Sequence, residues 1–209
     1  MAAQCAAKGV RSLVVISASF AEAGAEGRER QAELLRICRD AGMRLIGPNC
    51  LGIVNTAGGP GILCADTCEA EVLAVPPLSD ETQARLRTFL PPTASVTNPV
   101  DMIATATAGQ FEQCVEAILG DPNVDAVIAI FIPPLATRSG DVAKALVAAL
   151  GRNAGTKPLL AVFMTSARAP SELGWKTGRI PGYQFPEAAA TALAHAVRYG
   201  VWQIGRAHV

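Results

Sequence analysis

Three short segments carry the residues most able to do chemistry. The first is Ile53-Val54-Asn55-Thr56-Ala57-Gly58-Gly59-Pro60-Gly61, an apolar run delivered into a glycine-rich stretch. Glycines let a backbone come close to a ligand, and a helix leaving such a turn offers free N–H groups and a partial positive charge. That combination suits an anion, phosphate above all. The same glycines also fit a purely structural turn, and neither a dinucleotide fingerprint nor a P-loop lysine is present. The second segment is Asn98-Pro99-Val100-Asp101, in which Asp101 either caps a turn or holds a ligand hydroxyl. The third is Phe131-Ile132-Pro133-Pro134-Leu135, directly after the most apolar run of the chain. It reads as a rigid turn or as the loop at a strand's carboxyl end where a substrate sits.

Other reactive side chains are sparse. The chain has two histidines, and His195 stands among Ala192, Leu193, Ala194 and Ala196, as a helix-surface or core-edge residue would. No hydroxyl occupies a nucleophile elbow and no carboxylate pair is spaced for acid–base work. The six cysteines (5, 38, 50, 64, 68 and 114) form no CxxC pair. Cys64 and Cys68 share a face if their segment is helical, but two thiols do not make a zinc site. We read all six as small buried hydrophobes in a reducing compartment.

These segments must be held by alternating strands and helices. Leu13–Ile16, Arg44–Ile46, Leu51–Val54, Asp125–Ile132 and Leu159–Met164 are short apolar runs of the kind buried in a parallel sheet. Helical spacing marks 27–41 (closed by Gly42), 62–70, a helix opened by Ser79-Asp80-Glu81, 110–119, 142–150 and 186–199. Residues 166–183 lack periodicity and read as an exposed loop. The pattern is α/β throughout.

Composition narrows the function classes. In 209 residues, 18 basic and 18 acidic side chains cancel, which argues against a nucleic-acid or anionic-membrane surface. Half of the residues are hydrophobic and only 5% aromatic, yet no apolar run approaches the roughly 20 residues of a membrane span. The N-terminus has no secretory pattern.

The segments together resemble a known family. Val15-Ile16-Ser17-Ala18-Ser19-Phe20-Ala21-Glu22-Ala23-Gly24 and Ile46-Gly47-Pro48-Asn49-Cys50-Leu51-Gly52 are similar to the CoA-binding domain of nucleoside-diphosphate-forming acyl-CoA synthetases, relatives of succinyl-CoA synthetase that include ADP-forming acetate–CoA ligases. Ala57 to Leu63, Pro76 to Leu86, Asn98 to Asp101, Phe131 to Leu135 and Tyr183 to Tyr199 resemble a later, flavodoxin-like domain of the same enzymes. The resemblance implies a partial Rossmann-like βαβ unit at 1–55, a flavodoxin-like parallel α/β domain at 56–203, and a tail at 204–209 that resembles a translated sequencing adaptor.

The resemblance also implies roles. Ile16, Ser17 and Ala18 match a loop that contacts CoA, with Ser19 replacing the usual glycine. Thr56, Gly58, Gly59 and Gly61 match the phosphate- and phosphohistidine-receiving helix N-terminus, and Pro133, Pro134 and Leu135 match the substrate-side loop. Where the family reads Thr-Asn before Ala-Gly-Gly, this chain reads Asn55-Thr56, which shifts the contacting asparagine by one. A whole domain bearing the phosphorylated histidine separates the two regions in the family. Here they run together near 55–58, as an internal deletion would leave them, and no Ser-His-Thr-Gly pattern is present. The implied function is that of a fragment of an acyl-CoA ligase. The intact enzyme interconverts acyl-CoA, ADP and phosphate with acid, CoA and ATP, using Mg. The implied partners are an acyl-CoA or short carboxylic acid and an ATP-grasp domain or subunit, in the cytoplasm. A non-catalytic CoA- or acyl-CoA-binding module working with a separate ATP-grasp subunit is the alternative.

Overall fold

The computed structural model describes residues 2–10, 12–14, 25–46, 50–133, 137–153, 157–165, 169–175 and 178–206. The chain divides into two compact units. One comprises Met1–Cys50 with His195–Val209, the other Leu51–Ala194.

In the first unit, α1 (Ala2–Ala7), β1 (Ser12–Val14), α2 (Ala25–Asp40) and β2 (Arg44–Ile46) follow one another. The two strands pair in parallel, Leu13 opposite Leu45, so the expected βαβ unit is present. Leu34, Cys38 and Met43 form a small core against Cys5, Ala6, Val10 and Ile37. Gly42 closes α2 at φ +63, with its N–H donated to the Arg39 carbonyl and that of Met43 to the Cys38 carbonyl. This is a Schellman ending, for which a residue without a β-carbon is the least strained choice.

The second unit is built on a five-stranded, wholly parallel sheet. Its elements are β3 (Leu51–Asn55), α3 (Gly58–Ala70), α4 (Asp80–Arg87), β4 (Val100–Asp101), α5 (Ala108–Leu119), β5 (Ala126–Phe131), α6 (Ser139–Arg152), β6 (Leu159–Phe163), the short strands β7 (Gly174–Trp175), β8 (Gly178–Arg179) and β9 (Gly182–Tyr183), and the first part, up to Ala194, of α7 (Pro186–Arg206). The sheet order is β4-β3-β5-β6-β9. The chain moves outward from β3 to β4 and then returns to the other side of β3, which is the flavodoxin-like arrangement.

Both faces of the sheet are covered. Val127, Ala129 and Phe131 point into a core shared with Phe111, Cys114, Ile118, Leu146 and Phe163, while the alternating Ile128 and Ile130 are buried on the opposite face. Phe131 sits edge-on to both Phe111 and Phe163, at centroid distances of 5.6 and 5.8 Å.

Several expectations are corrected. The helix after β3 begins at Gly58, not Ile62, so the glycine-rich stretch is the first turn of α3 rather than a loop before it. The stretch 166–183 is not simply an exposed loop. It contains a 3₁₀ turn at Ser171–Leu173, the antiparallel pair β7–β8 and the edge strand β9, and Leu173 and Ile180 are buried. Two-residue strands lack the length to show a period, which is why the sequence pattern misses β4 and β9. The last helix continues from Tyr199 to Arg206, reaching into the segment expected to be an adaptor-derived tail.

Asp121, in the α5–β5 turn, is fully buried and unmarked by any motif. Its carboxylate accepts from the Ser79 N–H and hydroxyl at 2.9 Å and from the Asn123 N–H at 2.7 Å. Its carbonyl accepts from Lys157 Nζ, whose pKa is lowered by burial. This network ties the start of α4 to the amino-terminal edge of the sheet.

Candidate functional site

Because β3, β4 and β5 run parallel, their carboxyl ends lie on one edge, and Asn55, Asp101 and Phe131 mark that edge. The crevice expected for a ligand lies between β3 and β5, where the chain order reverses. Two consecutive polar residues, Asn55 (1% exposed) and Thr56 (2% exposed), sit there. Asn55 faces β4: its Nδ2 donates to the Val100 carbonyl at 3.1 Å, and its backbone carbonyl accepts from the Met102 N–H. Thr56 faces β5, its hydroxyl accepting from the Ile132 N–H at 3.3 Å. One dipeptide therefore latches three strand ends together. Among the described residues, the Thr56 hydroxyl proton has no protein acceptor.

The start of α3 completes the edge. A helix leaves four N–H groups without intrahelical partners, those of the N-cap and the first three helical residues. Here the N-cap is Ala57, which has no side-chain oxygen to offer. Its own N–H donates to Asn55 Oδ1 at 3.0 Å, and Pro60, the third helical residue, has no N–H. Gly58 and Gly59 remain, both exposed, as two donors at the positive end of a helix of 13 residues. Asp101 borders them. Its Oδ1 accepts from the Ile103 N–H at 2.9 Å, while Oδ2 lies 3.3 Å from where a β-carbon on Gly58 would stand. Ile103 itself has φ +63, a strained conformation for a β-branched residue.

The expected site residues fare differently. Thr56, Gly58 and Gly59 converge on this edge. Gly61 lies deeper: it is buried, and a β-carbon there would stand 2.4 Å from Asn55 Nδ2, so the glycine leaves room for the Asn55 carboxamide. Asp101 caps a turn through Oδ1, the first of its two readings. Pro133 is exposed beyond β5, whereas Pro134 and Leu135 lie outside the described residues, as do Ile16, Ser17 and Ala18. Asn55 joins this edge as well; its signal in the sequence is a carboxamide at the last position of an otherwise apolar strand.

His195 is exposed on α7. None of the six cysteines is in a disulfide, and all but Cys5 are buried. Cys64 is raised in pKa by its hydrogen bond to Cys68 and by burial, and Cys114 by burial alone. Among the described residues, no three His, Cys, Asp or Glu side chains converge as a metal site would need, and no helix is long and apolar enough to cross a membrane.

Comparison with known proteins adds to this geometry. The Ligase-CoA domain matches residues 51–169, a span that contains the whole edge from Asn55 to Pro133. The chain belongs to the Ligase-CoA domain family. A CoA binding domain matches residues 1–56, so the two matches overlap over residues 51–56.

The relatives are longer proteins. The chain is 36% identical over 184 residues to the alpha subunit of ADP-forming acetate–CoA ligase II of Pyrococcus furiosus, covering 85% of this chain and 40% of that one. It is 30% identical over 198 residues to an ADP-forming acetate–CoA ligase of Methanocaldococcus jannaschii, covering 91% and 28%. It thus spans well under half of the length of these curated relatives. Among solved structures, PH0766 from Pyrococcus horikoshii superposes with a TM-score of 0.66 at 23% identity, over 94% of this chain and 80% of that one. The dinucleotide-forming acetyl-coenzyme A synthetase 1 of Ca. Korarchaeum cryptofilum gives 0.68 at 20% identity, over all of this chain and 51% of that one. At these identities the likeness is one of fold.

Proposed function

We propose that this chain is part of an ADP-forming acyl-CoA ligase, of the kind that interconverts acyl-CoA, ADP and phosphate with acid, CoA and ATP. The observation that carries this reading is that the Ligase-CoA match spans a sheet edge where two free helix N–H groups and a buried hydroxyl converge. In this reading the N–H groups of Gly58 and Gly59 and the Thr56 hydroxyl receive a phosphoryl group. They are fixed before it arrives, so no reorganisation is needed as charge develops on its oxygens. Asp101 Oδ2, at the rim, accepts a hydrogen bond from a protonated phosphoryl oxygen or from its carrier.

In this reading residues 1–55 belong to a CoA-binding domain and residues 56–203 to a flavodoxin-like domain. Ile16, Ser17 and Ala18 contact CoA, and Pro133, Pro134 and Leu135 border the acyl substrate. CoA, when bound, supplies the thiol that carries the acyl group. In this reading Mg enters with the nucleotide on an ATP-grasp domain or subunit, and the histidine that shuttles phosphate belongs to a partner region. Six cysteines outside any disulfide suit a reducing cytoplasm.

The purified chain, given acetyl-CoA, ADP and phosphate, is expected to form no ATP in a coupled assay and to give heat when titrated with CoA. ATP formation by the chain alone would overturn the placing of the phosphoryl carrier elsewhere. Absence of heat at millimolar CoA would remove the CoA-binding part. The alternative reading, a non-catalytic CoA- or acyl-CoA-binding module, draws on the two histidines, neither of them in a Ser-His-Thr-Gly pattern. It predicts CoA heat but no rescue of ligase activity by an added ATP-grasp subunit.

A further inference from the structure

We infer that Asn55 is the positioning residue of this edge: its carboxamide, acting through Ala57, determines which N–H groups α3 presents. The inference rests on reading the first turn of α3 as a phosphoryl seat, and goes beyond it by assigning the residue that shapes the seat.

Asn55 joins three elements at once. Nδ2 holds β4 at the Val100 carbonyl, Oδ1 takes the Ala57 N–H, and the backbone carbonyl takes the Met102 N–H. Ala57 cannot cap the helix with its own side chain, so Asn55 acts from two residues upstream, satisfying one orphan donor while leaving the next two open. A conventional Ser, Thr or Asp at position 57 would instead take an N–H inside the first turn. The carboxamide fits because position 61 is glycine, whose missing β-carbon would otherwise stand 2.4 Å from Nδ2. Both polar ends of Asn55 are occupied by backbone, so its place is behind the ligand rather than against it. Thr56, with a hydroxyl proton to give, stands in front.

Asn55→Asp separates this role from a merely structural one. The variant keeps an acceptor for Ala57, loses the donor to Val100, and adds a negative charge behind the two donors. The native carboxylate at this edge, Asp101, is present in both proteins, so the difference isolates position 55. With inorganic phosphate as probe, the variant is expected to bind at least about tenfold more weakly at pH 8. Its affinity relative to wild type should recover as pH falls toward the aspartate range, about 4. Equal affinity with no such pH dependence would overturn the inference. Should the variant fail to fold, wild-type amide spectra decide. Added phosphate is expected to shift the Gly58 and Gly59 amides and leave the Asn55 side-chain amide in place. A comparable shift of the Asn55 side chain would make it a ligand contact and overturn the positioning role. Unmoved glycine amides would instead sink the phosphoryl-seat reading, and this inference with it.

Discussion

Helices α3 and α5 both start at the carboxyl edge of the same sheet, but they are finished in opposite ways. In α5 the Thr107 hydroxyl accepts from the Gln110 N–H at 3.2 Å, and the Gln110 carboxamide returns to the Thr107 N–H at 2.9 Å, a complete capping box. Its C-cap, Gly120, keeps a right-handed backbone. In α3 the N-cap is an alanine, the cap acceptor comes from the preceding strand, and the helix ends with Val72 at φ +62. Local capping rules are obeyed in α5 and broken at the start of α3. Under the proposed function, that departure keeps two donors open for a phosphoryl group.

The comparison can be tested at matched positions. The largest effect is expected from the first-turn glycines. Gly61→Ala forces a β-carbon against the buried Asn55 carboxamide and should cost about 1–3 kcal/mol in chemical denaturation. In α5, Gly109→Ala meets nothing closer than the Thr107 hydroxyl at 4.0 Å and should gain about 0.5–1 kcal/mol. Similar losses at both positions would erase the distinction.

The caps come next. Thr107→Ala should lose about 1 kcal/mol, with no change in phosphate binding. Ala57→Ser runs the other way. Its hydroxyl can reach the Gly59 N–H, which should raise the unfolding midpoint while weakening phosphate binding. A gain in stability with unchanged binding would show that Gly59 is not a ligand donor.

The smallest effect is expected at the other end of α3. Val72 occupies the same position as Gly42 in α2: the Val72 N–H goes to the Glu69 carbonyl and the Leu73 N–H to that of Cys68. A β-branched residue is strained there, and the side chain is exposed. Val72→Gly should therefore gain about 0.5–1 kcal/mol, part of the relieved strain being offset by the freer unfolded chain. A loss would mean that the exposed valine is held by contacts the isolated chain does not reveal.

Much of this was legible in the residues. The long apolar runs became β3, β5 and β6 within a residue at either end, because strands buried on both faces need continuous apolar sequence. Ser79, Gly42 and the acids opening α4 announced their helix ends through capping chemistry that acts within a few residues. What escaped the sequence acts over a distance. Strand β9 is two residues long and exists because β6 offers it a ladder, with Ala161 opposite Gly182 and Val162 opposite Tyr183. Gly61 reads in sequence as one more glycine of the turn, and only the fold sets it against the buried Asn55 carboxamide.

By its sequence alone the chain determined its α/β alternation, its family and the segment that matters, since apolar periodicity, turn chemistry and motif order are local properties. Tertiary structure decided which atoms of that segment are free. The N–H of Ala57 is consumed by a side chain on the strand before it, and the Thr56 hydroxyl is turned by an amide 76 residues away. A donor's availability depends on what packs around it, and the fold brings those neighbours together from distant parts of the chain.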